Sequence, residues 1–214
     1  MSSNKKVVGF DLDGTLLKGN SSLAFSIYLL RKEIFSLADF IHIMFHYARH
    51  KFFGLSLLKL HTALFKRLFL GKKASVFQEH IETFVKGWLG KSEYAPAIAH
   101  LREFQKNKDA VAVFSNSPYF LVYAIAKELG IDLVYATNYE IDTHGRLSTV
   151  KILEGAKKAL LLSQFAQSEN SDHIVAFSDS ILDLPFLQCA SHAIAVNPGR
   201  GLKKVAKQLG WQII

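Results

Sequence analysis

Apolar residues fall into two rhythms along this chain. In residues 1–17, and again from about residue 91 onward, short apolar runs alternate with helix-length amphipathic stretches. The runs Lys6–Asp11 (KVVGFD), Ala110–Ser115, Leu133–Ala136, His173–Ser178 and Ala193–Val196 are four to six residues long and rich in β-branched or small apolar side chains, which predicts strands. Between them Ala95–Lys106, Tyr119–Leu129, Gly155–Ala166 and Gly201–Leu209 carry apolar residues at helical spacing. Strands separated by helices predict βαβ units, and so an α/β fold with a parallel Rossmann-like sheet core and helices on both faces.

Residues 18–90 follow the helical rhythm throughout. Leu23–Arg31, Ser36–His50, Leu55–Leu70 and Lys73–Trp88 each repeat apolar positions at helical spacing, punctuated by Gly54, Gly71 and Gly90. No strand is predicted there. The segment is expected to form a helical cap inserted after the first strand, with residues 1–17 and 91–214 making up the α/β core.

Charge adds to this division. Of 26 Lys and Arg, 11 lie in 18–90 against 4 of the 18 Asp and Glu, so this segment carries +7 of the net +8. It also holds 13 of the 26 aromatic residues. A positive field confined to one segment is not the footprint of a nucleic-acid binder, and no nucleic acid is expected as a partner. The single cysteine, Cys189, sits in an apolar run and fits a buried thiol in a reducing compartment. The amino terminus has no secretory-signal pattern and no stretch reaches the ~18 apolar residues of a membrane span. A soluble, cytoplasmic protein is expected, with peripheral membrane contact through the basic, aromatic cap. Nothing in the sequence specifies the oligomeric state.

Chemistry concentrates at predicted strand ends, where ligands gather in a parallel sheet. Asp11 and Asp13 in Phe10-Asp11-Leu12-Asp13-Gly14-Thr15 stand two residues apart at the end of the first strand, with Gly14 permitting a tight exit. One carboxylate can attack while the other moves protons. Asp179 and Asp183 in Ser178-Asp179-Ser180-Ile181-Leu182-Asp183 follow another strand, and Asp183 also reads as the cap of the next helix. Together these carboxylates make an all-oxygen cluster suited to a hard cation such as Mg²⁺. In Phe114-Ser115-Asn116-Ser117-Pro118, Ser115 and Asn116 are candidate phosphate ligands at a helix start, whereas Ser117 reads equally as a phosphate ligand or as the helix cap with Pro118 at the first helical position. Lys157 and Lys158 open a later helix and could balance a phosphoryl charge. The nine histidines are scattered, and His42 and His46 lack an acidic or cysteine neighbour, so they read as a helix face.

The order of DxDGT, then Ser115, then a lysine, then Asp179-Ser180-x-x-Asp183-Leu184-Pro185 resembles the haloacid dehalogenase superfamily, from Val7 to Trp211. Its phosphoserine phosphatase-like branch, with a helical cap after the first motif, is the nearest in pattern. The resemblance implies a Mg²⁺-dependent phosphomonoesterase with Asp11 as nucleophile, Asp13 as acid/base, Ser115 as phosphate ligand and a lysine for charge balance. Mg²⁺ would be held by Asp11, the Asp13 carbonyl and Asp179, with Asp183 behind. The family lysine has apolar residues four and seven positions on. Lys158 finds Leu162 and Phe165 there, whereas Lys157 finds Leu161 and Gln164, which favours Lys158. Phosphoserine phosphatases of this branch place a glutamate about nine residues after the nucleophile, where this chain has Lys18-Gly19-Asn20-Ser21-Ser22. A small phosphometabolite or a lipid-derived phosphomonoester is therefore the expected substrate, with the lysines of 18–90 drawing it in. Phosphoserine itself, a phosphotransferase and a catalytically idle membrane-surface module are the alternatives.

Overall fold

A computed structural model describes residues 5–214; the first four residues of the expected 1–17 core segment lie outside the described residues. Seven strands form one sheet in the order β4-β3-β2-β1-β5-β6-β7. β1 (Val7–Asp11) lies at its centre between β2 (Ala110–Pro118) and β5 (Ile174–Ser178), and is parallel to both. β3 (Leu133–Ile141) extends the sheet on one side, and β6 (His192–Ala195) and β7 (Gln212–Ile213) on the other, all parallel to their inner neighbours. Among the described residues only β4 (Leu147–Lys151) is an antiparallel strand of the sheet. The α/β class expected from the alternating runs is the fold observed.

Period-two alternation in β1 separates two cores. Val8 and Phe10 enter the larger core, which includes helices α5 (Ala95–Lys106) and α6 (Tyr119–Glu128). Val7 faces the smaller core with α7 (Gly155–Ser168), α8 (Leu184–Gln188) and α9 (Arg200–Leu209). The helices α1 (Ser21–Arg31), α2 (Leu37–Phe53), α3 (Leu57–Leu68) and α4 (Ser75–Ser92) fill the stretch after β1. Their buried Phe25, Phe65, Phe77 and Phe84, with Phe35 between α1 and α2, are continuous with the larger core rather than separate from it. Gly54 ends α2 in the left-handed conformation, but Gly90 lies inside α4 and punctuates nothing.

Two strands escape sequence patterning. β3 runs to Ile141, five residues past the expected end, and turns into β4, which is LSTVK and mostly exposed. The turn is built by the Asp142 carboxylate, which accepts from the backbone N–H groups of His144 and Arg146 at 2.9 and 2.8 Å, with Gly145 at φ +74°. This hairpin grips the α3–α4 turn: Gly71 donates to the Leu147 carbonyl and Ala74 to that of Gly145. β7 is two exposed residues, too short for any periodicity.

Candidate active site

Register brings three strand ends to one place. Asp11 pairs with Phe114 and Phe10 with Phe177, so Asp11, Ser115 and Ser178 emerge at the same carboxyl edge of the sheet. Gly14 follows at φ +88°, and a β-carbon there would stand 2.3 Å from Asp179 Oδ2. The absence of a side chain thus lets the Asp179 carboxylate fold over the first loop.

Asp11 is buried and held on both oxygens. Lys158 Nζ donates to Oδ1 at 2.7 Å and Thr15 Oγ1 to Oδ2 at 3.1 Å. Thr15 Oγ1 accepts in turn from the Asp179 backbone N–H at 3.0 Å, tying the first loop to the loop after β5. Lys158 is wholly buried and donates also to Asp183 Oδ2 at 2.8 Å. Asp183 occupies the cap position of α8 but makes no capping bond; its carboxylate accepts from Lys158 and from Ser178 Oγ at 2.9 Å instead. Lys157, one residue earlier, faces solvent, because Leu162 and Phe165 turn the Lys158 side of α7 inward.

Asp13 has a different setting. Its Oδ1 accepts from the Ser21 backbone N–H at 2.6 Å, and its Oδ2 from Ser117 Oγ at 2.5 Å. Ser117 is therefore no helix cap: β2 continues to Pro118, which is itself the cap residue, and α6 opens at Tyr119. A register shift between Ser115 and Pro118 turns Ser117 toward the site. The Ser115 hydroxyl accepts from the Ser117 N–H at 3.1 Å. Asn116 reaches the same cavity, but its side-chain amide donates to the Leu153 carbonyl at 2.5 Å.

Burial moves the titrations. It pushes Asp11 up, with Asp183 and Asp179 adding to the effect against the pull of Lys158. It pushes Asp13 up, partly offset by Ser117 and Ser21. Asp179 rises to about 6 through burial and the charge of Asp183. Lys158 rises because Asp11 and Asp183 outweigh its burial. Four carboxyls thus face one lysine.

The sequence matches the haloacid dehalogenase-like hydrolase family over residues 8–188, a span that contains every one of these groups. The chain belongs to that family. It is 32% identical over 218 residues to the phosphoserine phosphatase SerB1 of Mycobacterium tuberculosis, covering 95% of this chain and 68% of that protein. It is 26% identical to a histidinol-phosphatase of Neisseria meningitidis, over 98% of both. A Bordetella pertussis protein of unknown function has the same fold, with a TM-score of 0.88 at 22% identity over 99% of both chains. Within the haloacid dehalogenase-like hydrolases this chain is a phosphoric monoester hydrolase.

The floor of this hydrolase opens into a cavity of about 410 Å³ whose far wall is made by α2 and α3. That wall consists of Ile43, Tyr47, Leu57, Leu60 and Leu64 with the imidazoles of His50 and His61. No lysine or arginine lines it among the described residues, and Tyr47 is its only aromatic apart from the two imidazoles. The expected electrostatic draw from cap lysines is thus not built into the cavity, and most of the segment's phenylalanines pack its core. Burial drops His61 to about 4, and His50 Nδ1 lies 2.6 Å from the Leu55 carbonyl. Sequence patterning left these two histidines, Thr15 and Ser21 without a role, and did not pair Ser117 with Asp13. Thr15 lay in plain view inside DxDGT; the others become neighbours of the site only through folding.

Proposed function

We propose that this hydrolase cleaves phosphomonoesters through an aspartyl-phosphate on Asp11. The observation that carries this is the contrast between two carboxyls at one strand end. Burial pushes both carboxyls up, but Asp11 is fixed by a buried lysine, whereas Asp13 is fixed only by neutral donors. The first is suited to attack and the second to hold a proton. Asp11 forms a bond to phosphorus as the ester P–O bond breaks, and Asp13 gives its proton to the departing alkoxide. Asp13 then takes a proton from water as that water cleaves the aspartyl-phosphate. Lys158 keeps the Asp11 carboxylate oriented, Ser115 Oγ with the backbone N–H of Asn116 seats the phosphoryl oxygens, and the helical segment 18–90 acts as a cap that surrounds the leaving group.

The donor set fits Mg²⁺. Asp11, the Asp13 carbonyl and Asp179 offer oxygen only, and Asp183 stands behind, with Lys158 Nζ bonded to Asp11 and Asp183 but not to Asp179. No three His, Cys, Asp or Glu side chains form a metal cage among the described residues. Mg²⁺ needs no such cage, since one or two carboxylates suffice when water and phosphate oxygens complete its shell. When bound, it would supply positive charge to the phosphoryl oxygens.

For the leaving group, the apolar wall with two histidines favours an uncharged, partly apolar body, as in a lipid-derived or other small phosphometabolite. The likeness to SerB1 favours phosphoserine, but every carboxylate on the cavity belongs to the floor, so an ammonium has no counter-charge on the far wall. Asp11→Asn is expected to lower turnover of p-nitrophenyl phosphate by more than about a hundredfold, since a carboxamide cannot form the acyl phosphate. Retention of a tenth of the activity would overturn the nucleophile.

A further inference from the structure

α2 turns an apolar stripe toward solvent. Leu37, Ile41, Phe45, Ala48 and Phe52 fall within about 80° of one another around the helix, and Met44 lies beside them. Phe52 is 71% exposed, Leu37 65% and Ile41 60%, and Phe53 at the end of the helix is 80% exposed. A contiguous exposed apolar stripe of about four turns marks an interaction surface rather than an ordinary solvated helix face. The opposite face of α2, with Ile43, Tyr47 and His50, is already occupied by the cavity wall.

Charge identifies the cover. Arg49 and Lys51 flank the stripe on either side, and their cationic groups lie 5.6 Å from the ring centres of Phe45 and Phe52 respectively. Residues 36–73, from the cap of α2 past α3, contain seven Lys and Arg and one acid, Asp39. Asp39 is paired with Arg67 at 2.9 Å, so no free negative charge remains on the hairpin. A second copy of the chain laid on this stripe would set cations against cations. Nucleic acid would meet phenylalanine and isoleucine where it needs cations. An anionic bilayer satisfies both features, with apolar side chains entering the acyl boundary and Arg49 and Lys51 at the level of the phosphates. No helix among the described residues is long and apolar enough to cross a membrane, so the contact is a surface one.

We propose that the α2–α3 hairpin docks this hydrolase on anionic lipid surfaces through the outward stripe of α2. The cavity then lies one helix diameter, about 10 Å, from the lipid. The docking does not depend on the reaction assigned to the cavity. It is tested by co-sedimentation with phosphatidylcholine vesicles, with and without about one third phosphatidylglycerol. Wild type should pellet with the anionic vesicles, and binding should fall at least about tenfold on neutral vesicles or in ~0.5 M salt. The triple variant Ile41→Gln, Phe45→Gln, Phe52→Gln and the double variant Arg49→Gln, Lys51→Gln should each lose binding to a similar degree. Both should hydrolyse a soluble aryl phosphate as wild type does, which shows that they fold. Wild type remaining in the supernatant, or the triple variant pelleting like wild type, would overturn the proposal. A dimer in solution that the triple variant abolishes would overturn it too, and would give the stripe to a second copy.

Discussion

Lys158 illustrates what a single residue does here. A buried ammonium is stable only because two carboxylates receive it, Asp11 at 2.7 Å and Asp183 at 2.8 Å. Lys158→Ala strands both anions and is expected to cost about 3 kcal/mol of stability, together with at least about a hundredfold in turnover. Lys157→Ala removes a solvated charge and should leave stability within about 0.5 kcal/mol and activity within about twofold. Urea melts and steady-state rates on the two variants check this, and the reverse ranking would show that Lys157 is the working cation. Metal removal belongs to the same scale. EDTA should silence turnover and Mg²⁺ restore it, and activity undiminished in chelator would refute the oxygen-ligand site.

Two elements at the site approach closely because a side chain is missing. Gly155 opens α7, and a β-carbon there would stand 2.2 Å from the Leu182 carbonyl oxygen, which is backbone and cannot swing aside. The close approach sets α7 against the turn carrying Asp183, and so places Lys158. A Gly→Ala change in a helix normally stabilises by up to about 1 kcal/mol. The clash should outweigh that gain, giving a net loss of about 1–3 kcal/mol and a fall in kcat larger than any change in KM. Thermal unfolding and Michaelis kinetics of Gly155→Ala test it, and a more stable, fully active variant would count against the packing. At this scale the sequence was uneven. Helices α1 to α7 and α9 follow from apolar spacing, because each buries one stripe. The β3–β4 hairpin did not, since β4 lies at the sheet edge, mostly exposed, and alternates weakly. Its turn signal, Asp142 three residues before Gly145, is local and was legible only in retrospect.

The whole molecule responds to acid through groups that folding removes from water. His61, on the cavity wall, is lowered from 6.5 to about 4 by burial and the nearby His50. The unfolded chain therefore binds a proton at a pH where the folded chain does not. The stabilisation from a neutral His61 is whole above pH 6.5 and is lost as pH falls from 6.5 toward 4, by roughly 1–3 kcal/mol. Stability measured in urea at pH 7 and pH 5 should fall less in His61→Gln than in wild type, and an equal fall in both would refute it. What the sequence determined by itself was the inventory of chemistry and its order. Asp11 and Asp13 two residues apart, Ser115, and Asp179 with Asp183 rest on short-range spacing and strand–helix alternation, and the choice of Lys158 on its apolar neighbours matched to the family resemblance. Tertiary structure decided everything that depends on which distant segments touch. It turned Ser117 from a helix cap into the partner of Asp13, spent the Asn116 amide on Leu153, kept the lysines off the cavity and put two histidines on its wall. It also left one side of α2 bare. The reason is physical: periodicity tells which residues leave water, but not which surface they leave it for. On α2, which has apolar residues on two sides, periodicity could not say which side would face the protein.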